Sequence, residues 1–149
     1  MRKRHQGQAI FELILGIIMF VLMSGAIISI STYLFVQHAV VSAVREGARS
    51  ASFNSDLASS NPQTGIDAVR IAVQNFMTQT TGINLTTGMI TVIPPDPAGT
   101  FGQRSVSVTI RYPMPNPLPI GAFMSALGAN GTPFNQFNVV ARAVMRYEE

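Results

Sequence analysis

From Leu13 to Val36 the chain runs through 24 residues without a formal charge, most of them apolar. About 20 such residues carry a helix across the hydrocarbon core of a bilayer. Inside lipid a helix satisfies its own backbone, and no open strand can do so. A membrane-spanning helix at about 13–36 is therefore the first expectation, and it divides the chain into what lies before it and what lies after. Arg2, Lys3 and Arg4 stand just ahead of the run, and between Arg4 and Arg45 the only formal charge is Glu12. The positive-inside rule then puts the N-terminus in the cytoplasm and the remainder on the other side.

The same distribution decides what the net charge of +3 means. Three of the ten Lys+Arg sit in the leader, so residues 8–149 hold seven basic and seven acidic groups. A nucleic-acid binder concentrates positive charge on its folded part, and here that part is neutral, so no nucleic-acid partner is expected. Cysteine is absent, which removes disulfides, thiolate nucleophiles and thiolate metal sites. The two histidines, His5 and His38, fall in the leader and on the helix beyond the membrane run, too far apart to share a metal. Asp56, Asp67 and Asp96 are scattered with no spacing for acid–base work, and no phosphate-binding loop or nucleophile elbow occurs. Neither a catalytic site nor a metal or cofactor site is expected; the chain reads as a non-enzyme.

Beyond the apolar run, QHAVVSAVREGARSAS continues without proline in a helical pattern. One helix is expected over 8–52, its first half in lipid and its second half projecting outward. The Ser-, Asn- and Pro-containing stretch 53–64 reads as a loop. Ile66, Val69, Val73, Phe76 and Met77 then recur at helical spacing, predicting an amphipathic second helix, with Thr64 or Gly65 at its start and Gly82 at its end. Strands are expected at Met89–Ile93, at 104–112 and across FNVVARAVMRY. In the second, Val106, Val108, Ile110 and Tyr112 alternate with polar residues; in the third, Phe137, Val139, Ala141, Ala143, Met145 and Tyr147 share a face. Prolines at 113, 115, 117 and 119 are expected to stop ladder pairing, and 118–127 to form a short helix or an apolar loop. The fold class is α+β: a long N-terminal transmembrane helix continuing outward, a second amphipathic helix and a small antiparallel sheet of about three strands. The organisation is a leader at 1–7, the long helix at 8–52 and a periplasmic or extracellular domain at 53–149.

The junction at Gly7 and Glu12 carries the functional information. A carboxylate inside an apolar segment is costly, roughly 2.5–3.5 kcal/mol for Asp at a helix centre and less near the membrane edge. One reading lets Glu12 snorkel to the interface or meet Arg2, Lys3 or Arg4. The other starts from its spacing: a cut after Gly7 makes Gln8 the first residue and Glu12 the fifth. A basic leader, Gly7, and Glu12 five places later in an apolar helix together resemble the processing motif of type IV pilins and pseudopilins. GQAIFELILGIIMFVLM followed by QHAVVSAVREGARSAS resembles, more narrowly, the N-terminal region of the TadE-like proteins of tight-adherence pilus systems.

That resemblance implies a pilin-like fold and cleavage between Gly7 and Gln8 by a membrane prepilin peptidase. It implies that Glu12 sets the register of an incoming subunit against a neighbour's new N-terminal amine. The implied partners are that peptidase, major and minor pilin subunits, the assembly platform of the inner membrane, and the bilayer itself. The implied location is the bacterial inner membrane, as a single-pass protein with its C-terminal domain in the periplasm, and then the pilus at the cell surface. Major pilins of these systems carry Glu-Tyr at the junction and are much shorter, whereas here Leu13 follows Glu12 and about a hundred residues lie beyond the helix. A minor pseudopilin working in filament biogenesis or adhesion is favoured over a large-headed major subunit. The rival from another class is an unprocessed membrane-anchored binding module.

Two further features have both a plain and a sharp reading. Ala39, Ala43, Gly47 and Ala51 recur every four residues, a spacing that lets another backbone come close, either from the protein's own domain or from a neighbouring subunit. Arg45, Glu46 and Arg49 mark either a solvated helix face or a docking contact, with Glu46 and Arg49 spaced to pair. Ser24, Ser29, Ser31 and Thr32 can return their hydroxyls to the preceding helical turn.

Overall fold

The computed structural model describes residues 4–59, 61–96, 104–115, 125, 128 and 136–147, with side chains from residue 8 onward. The expectation for 118–127 falls outside the described residues except at Ser125. Helix α1 spans Arg4–Ser52 and helix α2 spans Gln63–Thr81. Strands β1 (Ile90–Ile93), β2 (Ser105–Pro115) and β3 (Gln136–Arg146) form one antiparallel sheet in the order β1-β2-β3. The α+β expectation is met, with the helices and strands in the anticipated order.

The chain divides into two compact units. The first comprises Met1–Tyr33 and Asn116–Asn135. Within it the described part of α1 presents its large apolar side chains outward, Phe11 and Phe20 at 70% and 72% exposure. Such a surface is stable only in lipid or against other apolar helices.

The second unit, Leu34–Pro115 with Gln136–Glu149, has a conventional core. Period-2 alternation turns Val106, Val108 and Ile110 of β2 inward. The register pairs them with Met145, Ala143 and Ala141 of β3, so the anticipated face of the last strand is the one that points to the core. Val40, Ala43, Val44 and Ala48 of α1 are buried, as are Ile66, Val69, Val73 and Met77 of α2, while Phe76 is half-buried. At Gly47 the two helices and the sheet meet: an added Cβ would run into Val73 Cγ2 and sit 3.5 Å from Val108 Cγ1.

Local chemistry explains the element ends, with some departures from expectation. Gly82 closes α2 in the left-handed region at φ 70°, its N–H donating to the Thr78 carbonyl at 2.9 Å. The start of α2 lies earlier than Thr64 or Gly65. Pro62 precedes it, and Asn61 Oδ1 accepts from Gln63 N at 3.4 Å. Gly65 instead lies inside α2, where a Cβ would come within 2.9 Å of Leu57 N. It thereby makes room for the 3-10 turn Ser55–Ala58, whose Leu57 is buried.

The prolines at 113 and 115 do not stop the ladder. Pro113 pairs with Asn138 and Pro115 with Gln136. Prolines at every second position withhold their missing N–H groups from one edge of the strand only. β1 covers β2 no further than Ile110, so that edge needs no donors there.

Tyr147, just past β3, ties the sheet to the end of α1. Its N–H donates to the Arg104 carbonyl at 3.1 Å, and its hydroxyl donates to the Asn54 carbonyl at 3.0 Å.

Two outcomes follow for thermal unfolding of the full chain in detergent. Gly47→Leu forces α1 and α2 apart and is expected to cost about 1–3 kcal/mol, with Val73→Ala in the same chain restoring part of it. Tyr147→Phe removes the hydroxyl's bond to the Asn54 carbonyl and is expected to cost about 1 kcal/mol.

Candidate assembly site

Assembly features concentrate on α1, and its near end supplies the only carboxylate of the apolar run. Ala9, Glu12, Leu13, Gly16, Ile17 and Phe20 fall at the three- and four-residue spacings of one helix face and line a shallow open concavity. Gly16 makes the concavity: nothing lies within 4 Å of where its Cβ would be. Ala9 keeps the opposite rim low. Glu12 is exposed there beside aliphatic side chains and Phe20, and among the described residues it has no hydrogen-bond or ion-pair partner. In lipid a carboxylate without a partner is costly. Sequence spacing had singled out Glu12 but not the part of Gly16. A glycine four residues along the same face was the available signal.

Gly7 and Gln8 lie inside the bounds of α1, and Gln8 is exposed. Gln8 stands one helical turn before Glu12. Further along, Thr32 Oγ1 donates to the Ile28 carbonyl at 2.8 Å, which satisfies the hydroxyl within the helix. Ser29 is buried and its Oγ has no hydrogen-bond partner.

In the second unit Ala39, Ala43, Gly47 and Ala51 are all buried, Ala43 and Ala51 completely. At Gly47 the neighbours are the protein's own Val73 and Val108. Arg45, Glu46 and Arg49 point the other way and are exposed. Glu46 and Arg49 do not pair; Asp67 and Arg70 on α2 do, at 3.0 Å. Among the described residues no cluster of three or more metal-ligating side chains occurs.

Residues 8–52 form a helix long and apolar enough to cross a membrane. Residues 7–49 match the family model described as TadE-like protein. Over that stretch the N-terminal helix is similar to TadE-like proteins. No curated protein and no solved structure matches the chain. The TadE-like match runs from the glycine ahead of the apolar run to Arg49 and ends within α1. It covers Glu12 and the Gly16 notch in the first unit and, in the second, the Arg45, Glu46 and Arg49 face. The match covers less than a third of the chain, and the likeness to TadE-like proteins is shown over that segment alone. The long apolar helix suits a membrane anchor in such a protein.

Because Arg45, Glu46 and Arg49 are exposed and make no ion pair with one another, the fold does not depend on them. Arg45→Ala, Glu46→Gln and Arg49→Ala are each expected to leave stability within roughly 0.5 kcal/mol in detergent melts. A larger loss would give these side chains a structural role in the second unit.

Proposed function

We propose that this protein is a minor pilin-like subunit of a tight-adherence type filament, made as a precursor and cut between Gly7 and Gln8 by a prepilin peptidase. The observation that carries this reading is the lone carboxylate of the apolar helix, Glu12, at the fifth position after Gly7, within a stretch that matches the TadE-like model. The precursor waits in the inner membrane with its N-terminus in the cytoplasm and its second unit in the periplasm. Cleavage leaves an amine at Gln8. That amine and the carboxylate of a neighbour's Glu12 are each costly in lipid and neutralise one another when two helices are in register. The notch at Gly16 gives the incoming chain room to approach Glu12 along the helix surface.

The chemistry of the cut suits Gly7. A peptidase acts on extended backbone, and the scissile bond lies within the first turns of α1. Glycine destabilises a helix by about 1 kcal/mol relative to alanine, which favours opening at that point. Once in the filament, the second unit is carried on the outward half of α1, where it initiates, caps or decorates a structure used in adhesion.

The test is intact mass and N-terminal sequencing of the protein from native membranes, beside Gly7→Ala. The wild-type chain is expected to begin at Gln8 and the variant to stay full length. A wild-type chain that begins at Met1 in cells with an active prepilin peptidase overturns the proposal. Glu12→Gln is expected to be inserted and cut as usual but lost from sheared filaments. Normal incorporation of that variant would remove Glu12 from the assembly step.

A further inference from the structure

The outer face of the sheet has the chemistry of a contact surface. The core-facing residues of β2 are the even-numbered ones, and the register carries that choice to both neighbours. Arg111 of β2 and Arg142 and Arg146 of β3 therefore point away from the core, and all three are exposed. Ile93, Val140 and Val144 share this face at 51%, 58% and 53% exposure. Ile93 and Val144 lie in one row of the ladder, with Ser107 between them. Ser107 Oγ accepts from Arg142 Nε at 3.0 Å, which holds that guanidinium along the sheet. None of the residues of β1, β2 and β3 is a carboxylate. Exposed aliphatics among arginines, with no lysine, are the composition of a protein interface rather than of a solvated sheet.

Charge selects the occupant. Two copies meeting through this face would set three arginines against three, and like charges brought together cost several kcal/mol. The occupant therefore carries carboxylates beside an aliphatic surface. With three arginines on the outer face, the rest of residues 8–149 holds four basic groups against seven acidic ones. The beginning of α2 displays the needed combination. Asp67 and Ile71 are one helical turn apart and exposed. Asp56 is exposed nearby, on the 3-10 turn that packs against Gly65. Asp67 binds Arg70 through Oδ1 alone, and its side chain stays 61% exposed. This surface and the sheet face lie on opposite sides of the second unit, because α2 packs on the core side of the sheet.

We infer that copies of this protein associate head to tail, the α2 surface of Asp56, Asp67 and Ile71 in one copy docking on the outer sheet face of Arg111, Arg142 and Val144 in the next. A contact between unlike, opposite faces does not close on itself as a two-fold dimer does, and it propagates along a line. The inference rests on the filament-subunit reading for bringing copies side by side, and it adds that copies of this chain are direct neighbours through their second units.

The natural chain has no cysteine, so single cysteines report the contact without background. Ile71→Cys and Val144→Cys chains are made separately, together in one cell, and on one chain, then oxidised in native membranes. A disulfide-linked dimer is expected when the two are co-expressed, and a ladder of higher species when both are on one chain. Adding Arg142→Glu and Arg146→Glu to the Val144→Cys chain is expected to abolish the mixed dimer. A Val144→Cys dimer as abundant as the mixed one, or a mixed dimer that survives the charge reversal, overturns the inference. Phe20→Cys, on the exposed apolar part of α1, serves as the control. If it cross-links while the mixed pair does not, the head-to-tail contact is overturned and side-by-side helix packing stands. If neither cross-links, the contact is also overturned, and the mature N-terminus at Gln8 alone decides the filament-subunit reading.

Discussion

The second unit depends on how closely α1 approaches Val73 and Val108, and the missing side chain at Gly47 sets that distance. With no Cβ there, the backbone of α1 sits against Val73 of α2 and Val108 of β2. Three elements share one contact point, and the fully buried Ala43, Ala48 and Ala51 extend it along the helix. A larger residue in this stripe separates two layers at once, because α2 and the sheet cannot both retreat without uncovering Val69 and Ile110. Small residues in a helix seam are often taken as an invitation to another subunit. Here the close approach is used up at Gly47 by the protein's own core, so contacts with other chains fall to other faces of α1.

Those other faces differ chemically along the helix. In the first unit the surface is mostly aliphatic and aromatic, and among its described residues Glu12 is the one carboxylate. In the second, the exposed side of α1 is charged, with Arg45, Glu46 and Arg49. One continuous helix thus offers an apolar surface with a single carboxylate at one end and a polar surface at the other. The TadE-like match covers both.

Much of this was legible in the sequence, for physical reasons that differ between elements. The apolar run and the buried stripe of α2 follow from periodicity, which burial enforces at every turn. The inward face of β3 was legible because a one-residue slip would expose all of it. The start of α2 was misread because the helix already begins after Pro62, with Asn61 Oδ1 accepting from Gln63 N, while Gly65 serves packing against Leu57. The prolines of β2 were misread because their effect depends on whether the affected edge has a neighbour, which strand composition does not reveal. At the assembly site, Glu12 was visible from spacing, whereas the notch beside it appears only when Gly16 and Ala9 are placed on one face. The charge asymmetry of the sheet was also hidden. Arg111, Arg142 and Arg146 lie far apart in the chain, and only the ladder register puts them on one surface.

The bonds of Tyr147 have a mechanical consequence. The residue that follows the last strand is fastened to Asn54, just beyond the residue where α1 ends, so the end of the sheet and the end of α1 are held at one place. Peeling the last strand from its C-terminal end must therefore break the contact with Asn54 first, so the end of the sheet and the end of α1 come loose together.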